Sequence, residues 1–131
     1  MIVGIGVDIV DVARVEKSIK RYGNSYLERV YTPREIEYCS DGPNKWQRYA
    51  ARMAAKEAAM KALGTGWGSG VEWLNFEVQH EALGRPALAL TGAAADIARE
   101  RGISRVWISL AHISSYAIAE VVFECDNHEN R

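Results

Sequence analysis

The sequence predicts an α+β fold in which a mainly antiparallel sheet packs on one long helix. Three observations support this prediction: apolar residues alternate along segments near both ends of the chain, a long alanine-rich segment lies between them, and a short turn joins the last two strands. The predicted order is a strand, three helices, two strands, a helix and two strands. The chain has 131 residues, 48% of them hydrophobic, which suits one domain over residues 1–125 and a polar tail over residues 126–131.

The first predicted element is a strand over residues 2–10, whose side chains alternate between two faces. One face contains Gly4, Gly6 and Asp8. Glycine within a strand often marks the close approach of another backbone or of a ligand, so we expect Asp8 on a face that can be approached. The opposite face is entirely apolar and is expected to form core; it consists of Val3, Ile5, Val7 and Ile9.

Two helices follow the strand in the prediction. Asp11 is suited to cap the first helix, and Gly23 ends it. Thr32 starts the second, because it precedes a proline at the first helical position and Glu35 at the third. The apolar stripe of the first helix consists of Val12, Val15, Ile19 and Tyr22, and its exposed side carries Arg14, Lys17, Lys20 and Arg21.

The longest helix is predicted over residues 45–63 and is closed by Gly64. Its seven alanines give it high helix propensity and a thin profile, so that neighbouring elements can come close. A glycine-rich loop over residues 64–70 follows it. The remaining predicted elements are a strand over 73–79 with Leu74, Phe76 and Val78 inward, a strand over 87–90, a helix between Thr91 and Gly102, and a hairpin of strands over 105–111 and 115–124.

Charge and composition exclude several classes of protein. The formal net charge is −1, which argues against a strongly basic nucleic-acid-binding protein. Residues 1–61 nevertheless hold 11 basic and 8 acidic side chains, so this half suits an acidic partner or a phosphorylated ligand. The sequence predicts neither a signal peptide nor a membrane span, and Cys39 and Cys125 lack a metal-type spacing. We therefore expect a cytoplasmic protein.

The segment over residues 52–61 is the most informative for chemistry. On a helix, Glu57 and Lys61 lie one turn apart on the same row. A glutamate oxygen can hold Mg²⁺, and a lysine can neutralise charge on a phosphoryl group. The same spacing is also typical of an ordinary ion pair on a helix surface. The residues alone therefore leave two possibilities open, a phosphate-handling site and a solvated helix face.

Five segments in this order resemble the small, single-domain branch of the 4′-phosphopantetheinyl transferases, the holo-acyl-carrier-protein synthases. The resemblance extends from residue 1 to about residue 124. The segments are Gly4-Ile5-Gly6-Val7-Asp8-Ile9-Val10, Arg52-Met53-Ala54-Ala55-Lys56-Glu57-Ala58 with Lys61, Ala62-Leu63-Gly64-Thr65-Gly66, Gly84-Arg85-Pro86 and Trp107-Ile108-Ser109-Leu110-Ala111-His112.

The resemblance implies the 4′-phosphopantetheinyl transferase fold and an Mg²⁺-dependent transfer in fatty acid biosynthesis. The enzyme would move 4′-phosphopantetheine from coenzyme A to a serine of apo acyl carrier protein and release adenosine 3′,5′-bisphosphate. Asp8 and Glu57 match the family's metal ligands, and Lys61 matches the lysine near the scissile phosphate; these three are the expected catalytic residues. The base that accepts the serine proton is open between a metal-bound water and Glu57.

The resemblance also implies binding residues and an assembly. The family's members are commonly homotrimers with sites at subunit boundaries. The positions matching contacts to coenzyme A are Arg52, Lys61, Gly64, Thr65, Gly66 and His112, and those expected to dock the acidic carrier protein are Arg14, Lys17, Lys20 and Arg21. His80 and His128 match no position of the family, and we expect both to be surface histidines.

Two other functions stay open. Ala111 and Ile113 flank His112 where the family often has hydroxyl side chains. A non-catalytic module that binds coenzyme A or a nucleotide would retain the pocket without the chemistry. A carrier-protein-binding module would use only the basic helix. Incubation of an apo carrier protein with coenzyme A and Mg²⁺ distinguishes both from a transferase, because only a transferase increases the mass of the carrier.

Overall fold

The structure is a computed structural model, and it describes residues 1–126. Most of the predicted polar tail, and with it His128, which we expected to be a surface histidine, lies outside the described residues. The elements are β1 (Ile2–Asp11), α1 (Val12–Tyr22), α2 (Asn24–Val30), α3 (Pro33–Cys39), α4 (Lys45–Leu63), a 3-10 helix (Trp73–Asn75), β2 (Phe76–His80), β3 (Pro86–Leu90), α5 (Gly92–Glu100), β4 (Ile103–His112) and β5 (Tyr116–Cys125).

A three-stranded antiparallel sheet in the order β1-β5-β4 packs on α4, mainly through β1 and β5. The prediction of an α+β fold with an antiparallel sheet on a long helix is confirmed. The strands divide into two sheets, however, because β2 and β3 pair only with each other. Within residues 1–126, no helix combines the length and the apolar character needed to cross a membrane.

β1 and α4 approach each other through their backbones. Gly4 faces the carbonyl oxygen of Ala62, and Gly6 faces that of Ala58. A Cβ atom at either glycine would overlap the facing carbonyl, so no larger residue fits without a shift of the strand. The glycine face of β1 is therefore a place of close backbone approach, as predicted, and it brings Asp8 beside the second half of α4.

The prediction that the other face of β1 forms core is wrong for the single chain. Val7 and Ile9 are 50% and 61% exposed, whereas Gly6 is buried under α4. Alternation in the sequence separates the two faces of a strand but does not tell which one a helix covers. The exposed apolar side chains continue onto β4 and β5 and form one surface, here called the apolar sheet face: Val3, Ile5, Val7, Ile9, Trp107 and Ile118.

The helix starts follow the predicted capping signals. The Asp11 side chain accepts a hydrogen bond from the backbone N–H of Ala13 (3.0 Å). Thr32 and Glu35 form a reciprocal capping box at the start of α3. The stripe of α1 is buried as predicted except for Tyr22, which is exposed at the last turn.

Two elements differ from the prediction. Four helices precede β2 instead of three, because α2 begins directly after Gly23. The strand expected over residues 73–79 begins with a 3-10 turn, which the Asn75 side chain closes by accepting from the Glu72 N–H (3.1 Å). This turn leaves Leu74 exposed, while Phe76 is buried as expected.

A fully buried ion pair joins α3, α4 and β2. The Lys56 Nζ lies 2.8 Å from Glu35 Oε1 and donates to the carbonyls of Trp73 (3.2 Å) and Phe76 (2.5 Å). Glu35 also accepts from the Val78 N–H (2.8 Å). Burial lowers the pKa of Lys56 from its ordinary value, and the negative charge of Glu35 opposes this effect. Both charges are fully engaged, so the pair is a structural tie between three elements.

Candidate functional site

A cleft of about 380 Å³ opens between β1, the first turns of α1 and the middle of α4. Its charged residues are Asp8 and Asp11 from β1, Arg14 from α1 and Glu57 from α4. An apolar wall that includes Val15, Tyr26, Met53 and Trp73 completes the lining. The cleft therefore combines carboxylates, one guanidinium group and an aromatic surface.

Asp8 and Glu57, which are far apart in the sequence, meet at this cleft. Lys61 lies one helical turn after Glu57 and reaches back to β1, with its Nζ 2.9 Å from Asp8 Oδ1 and 3.1 Å from the carbonyl oxygen of Val7. The Lys61 side chain is 56% exposed and that of Asp8 is 16% exposed. The structure thus brings the three residues predicted to be catalytic together on one side of the molecule, open to solvent.

The surroundings of Glu57 destabilise the ionised form of its carboxyl group. Burial raises its pKa above the ordinary value, and the negative charge of Asp8 raises it further. Lys61 and Arg14 oppose these effects with positive charge. Because the two carboxylates repel each other in a partly desolvated cleft, a cation placed between them would stabilise both.

The donor set of the cleft suits a hard cation. Within the described part of the chain, no three His, Cys, Asp or Glu side chains come together in a group that could hold a metal ion. Asp8 and Glu57 therefore supply two carboxylates, and water or a ligand must supply the other donors. Mg²⁺ prefers oxygen donors and usually retains several waters, whereas a structural zinc site requires four nitrogen or sulfur ligands.

Arg52, a predicted coenzyme A contact, does not line the cleft. It is 3% exposed, with its guanidinium carbon 4.5 Å from the centre of the Tyr38 ring. Its Nη2 lies 2.7 Å from Nε2 of His80, which is otherwise exposed, as expected for a surface histidine. The row of α4 that carries Arg52 and Lys56 thus faces α3 and β2, away from Asp8.

The predicted nucleotide turn follows the end of α4. Gly64 takes the left-handed conformation (φ 76°) and closes the helix. The Thr65 hydroxyl donates to the carbonyl of Gly66 (3.1 Å). The side chain of Arg101 donates to the carbonyl of Leu63 and lies beside Gly64, so a positive charge stands next to this turn.

His112 lies apart from the cleft in the single chain. It is exposed at the end of β4 and lines a second cavity of about 260 Å³ with Ile113, Tyr116 and Ile118. Ile9 borders both cavities. The structure therefore does not bring His112 together with Glu57, and it places His112 next to the apolar sheet face.

The predicted docking residues lie along α1. Arg14 lines the cleft, whereas Lys17 and Arg21 line a shallow groove on the outer side of the helix. Lys20 lies in the same groove and pairs with Glu16 (2.6 Å). The basic surface thus begins at the cleft and continues outward from it.

No sequence pattern singled out the aromatic wall of the cleft. Tyr26 lies on the unpredicted helix α2, and Trp73 lies in the 3-10 turn that the sequence analysis assigned to a strand. The Trp73 ring packs on that of Trp67, with ring centres 4.2 Å apart. The only signal for this wall in the sequence was the number of aromatic residues near the glycine-rich loop. Aromatic residues more often belong to the hydrophobic core.

Known proteins resemble the chain over nearly its whole length. The sequence pattern of the 4′-phosphopantetheinyl transferase superfamily matches residues 4–121. A Solibacter usitatus protein named holo-[acyl-carrier-protein] synthase is 48% identical over 124 residues, which cover 95% of this chain and 99% of that protein.

Solved structures show the same relationship. The Neisseria meningitidis holo-[acyl-carrier-protein] synthase superposes with a TM-score of 0.86 at 37% identity, over 95% of this chain and 99% of that one. The Helicobacter pylori holo-[acyl-carrier-protein] synthase, solved in complex with coenzyme A, superposes with a TM-score of 0.81 at 34% identity, over 92% of this chain and 99% of that one.

Proposed function

Since this chain belongs to the 4′-phosphopantetheinyl transferase superfamily, we propose that it acts as a holo-[acyl-carrier-protein] synthase. It is a transferase, and its substrates are coenzyme A and apo acyl carrier protein. A serine hydroxyl of the carrier attacks the phosphorus nearer the pantetheine, the phosphorus–oxygen bond to the other phosphate breaks, and adenosine 3′,5′-bisphosphate leaves. We place this reaction in the cytoplasm, where it serves fatty acid biosynthesis.

The convergence of Asp8, Glu57 and Lys61 is the observation that carries this proposal. Asp8 and Glu57 come from two elements and line one cleft that is open to solvent, and Lys61 is bonded to Asp8 beside it. A transfer between phosphate oxygens requires little covalent chemistry from a protein, and it depends on positioning and on neutralising charge. Two carboxylates that can hold a cation, with an ammonium group beside them, supply both.

Mg²⁺ is the cofactor that these residues suit. Asp8 and Glu57 would hold it, because burial and then the negative charge of Asp8 raise the pKa of Glu57, and a cation would stabilise both charged carboxylates. When bound, Mg²⁺ supplies positive charge that offsets the charge of the diphosphate of coenzyme A. Lys61 holds its ammonium group at Asp8, where it can stabilise negative charge that develops on the leaving phosphate.

We assign the nucleotide part of coenzyme A to Arg52 in the first half of α4 and to the turn that follows the helix. Arg52 would bind the 3′-phosphate, and the turn from Gly64 to Gly66 would lie beside the adenosine. His112 would also contact the ligand, although its cavity is separate from the cleft in one chain. A second copy that places its His112 near this cleft would complete the site.

The apolar sheet face supports an assembly of several copies. Its side chains are large and exposed on three neighbouring strands, with Glu120 of β5 among them, and monomeric proteins rarely expose large apolar patches. The resemblance to the family indicates a homotrimer. If Ile118→Lys leaves the molar mass in solution equal to that of the native protein, as measured by light scattering, this face is not the interface.

The basic side of α1 would receive the carrier protein. Lys17 and Arg21 lie on its outer groove, and Arg14 connects this groove to the cleft. Opposite charges steer encounter, so association with an acidic carrier helix should weaken as salt concentration rises. This position delivers the serine of the carrier to the residues that surround Asp8 and Glu57.

Mass spectrometry of an apo carrier protein tests the proposal directly. After incubation with this protein, coenzyme A and Mg²⁺, we expect the carrier to gain one 4′-phosphopantetheine, and we expect no gain when EDTA replaces the metal. A carrier of unchanged mass, in a sample that binds coenzyme A, would indicate the non-catalytic module. Binding of the carrier without any affinity for coenzyme A would indicate the scaffold.

A further inference from the structure

Three basic side chains surround one aromatic ring on the side of α4 that faces away from the cleft. The guanidinium carbons of Arg48 and Arg52 lie 4.7 Å and 4.5 Å from the centre of the Tyr38 ring. The His80 ring packs on the same tyrosine, with ring centres 4.5 Å apart. Within residues 1–126, neither arginine forms a salt bridge with a carboxylate. We call these four residues the Tyr38 cluster.

The contact between Arg52 and His80 fixes the protonation state of the imidazole. An arginine side chain has only donors, so the His80 Nε2, 2.7 Å from the Arg52 Nη2, must accept. The ring proton therefore sits on Nδ1, which donates to the carbonyl oxygen of Gly84 (3.3 Å). This arrangement requires a neutral His80.

Arg52 has a donor that no residue satisfies. Its Nη1 donates to the carbonyl of Arg48 (3.4 Å), whereas its Nε is buried without a partner in the described part of the chain. A buried donor without a partner is unfavourable, and water, an ion or a ligand can satisfy it. A phosphate monoester is the matching class of ligand, because arginine binds phosphate through adjacent N–H groups.

We propose that His80 is a positioning residue for coenzyme A, whose neutral imidazole orients Arg52 toward the 3′-phosphate. This inference rests on the proposed function, in which Arg52 binds that phosphate. His80 acts on the ligand through Arg52, whose guanidinium it holds against Tyr38. The role belongs to the hairpin of β2 and β3, which is not otherwise part of the proposed site.

The charges around His80 determine what its protonation would do. From α4 it faces Arg52, with Arg48 on the same tyrosine, and α3 contributes Tyr38. On its own hairpin, Glu81 and Arg85 are paired with each other (2.8 Å). A proton on Nε2 would remove the acceptor and place a second positive charge next to the guanidinium. An imidazolium at this position therefore could not hold the guanidinium group as the neutral ring does.

Calorimetric measurement of the affinities for coenzyme A and for 3′-dephospho-coenzyme A tests the inference without any transfer step. His80→Phe retains a ring on Tyr38 but lacks the acceptor, and we expect it to weaken coenzyme A binding about tenfold at pH 7.5, for a hydrogen bond to a charged donor. Binding of 3′-dephospho-coenzyme A should not change. In turnover, the KM for coenzyme A should rise and kcat should not.

His80→Gln is the conservative variant, because its amide oxygen can accept from Arg52 in place of the imidazole nitrogen. We expect it to bind coenzyme A nearly as well as the native chain at pH 7.5. Glu81→Ala, on the same hairpin, is the matched control. It should leave the ratio of the affinities for coenzyme A and for 3′-dephospho-coenzyme A unchanged.

Equal losses for both ligands in His80→Phe, no loss for either, or a native chain that does not prefer coenzyme A would each overturn the inference. A loss of coenzyme A affinity in His80→Gln as large as that in His80→Phe would also contradict it. The proposed function fails separately, when the native chain binds coenzyme A yet leaves the mass of the carrier unchanged.

Discussion

Two lysine–carboxylate pairs on α4 have nearly the same length and opposite surroundings. Lys56 lies 2.8 Å from Glu35, and both side chains are fully buried. Lys61 lies 2.9 Å from Asp8, and its side chain is 56% exposed. The first pair ties the helix to α3 and β2, whereas the second borders the cleft.

The difference lies in what else each lysine touches. The three protons of Lys56 find Glu35 and two backbone carbonyls, so this ammonium group has no donor left for a ligand. Lys61 bonds Asp8 and one carbonyl and remains open to solvent. The length of an ion pair therefore does not identify a functional site. A functional site is identified by the access to solvent that the surrounding elements leave to the pair.

Glu57→Gln should have the largest effect. It changes only the part of α4 that carries the exposed pair of Lys61 and Asp8. Loss of the second carboxylate should lower the rate of transfer by about 10³-fold, since one group that stabilises transition-state charge contributes on this order. The rate of carrier modification measures this effect. The variant should unfold at the same urea concentration as the native chain, and ordinary activity in it would contradict the metal role.

Lys56→Met breaks the buried pair. An unpaired buried Glu35 should destabilise the fold by roughly 3–5 kcal/mol, measured by urea unfolding. The double variant Lys56→Met with Glu35→Leu is the matched control and should recover most of that loss, because no charge is then left unpaired. A single variant as stable as the native chain would show that the pair is not a structural tie.

Lys61→Ala breaks the exposed pair. The stability change should stay below about 1 kcal/mol, because exposed ion pairs contribute little. Transfer should slow by about 10²-fold, because a positive charge near the reacting phosphate is lost. If stability falls as much as in Lys56→Met while activity is retained, the contrast between the two pairs is wrong.

Lys17→Glu with Arg21→Glu tests exposed charge on the outer groove of α1, which belongs to neither pair, and its effect should be the smallest. We expect the KM for the carrier protein to rise about tenfold, because charges at the edge of an interface mainly change the rate of association. Affinity for coenzyme A should not change. Arg99→Glu, a charge reversal on the distant helix α5, is the control and should leave both constants unchanged.

Elements whose ends depend on residues close together in the sequence were predicted well. The capping box of Thr32 and Glu35, the end of α4 at Gly64 and the hairpin of β4 and β5 all appear as expected. Each depends on hydrogen bonds or chain reversals among residues that are close in the sequence. Asp8, Glu57 and Lys61 were identified by resemblance to a family; Asp8 and Glu57 line one cleft, and Lys61 is bonded to Asp8.

Features that depend on packing were missed or predicted wrongly. The 3-10 turn at residues 73–75 carries Trp73, whose carbonyl binds Lys56 from α4. The contact between Arg52 and His80 joins two elements that no local pattern connects. Neither the buried ion pair nor the Tyr38 cluster has a signal in the spacing of residues.

The sequence by itself determined where most elements begin and end and which residues alternate across β1, because capping and alternation are local. Only the tertiary structure decided which face of β1 is covered. Gly4 and Gly6 let α4 approach at the backbone, so the helix covers the face without large side chains and leaves Val7 and Ile9 exposed. Close packing of backbones, instead of hydrophobicity alone, made that choice and placed Asp8 beside Glu57.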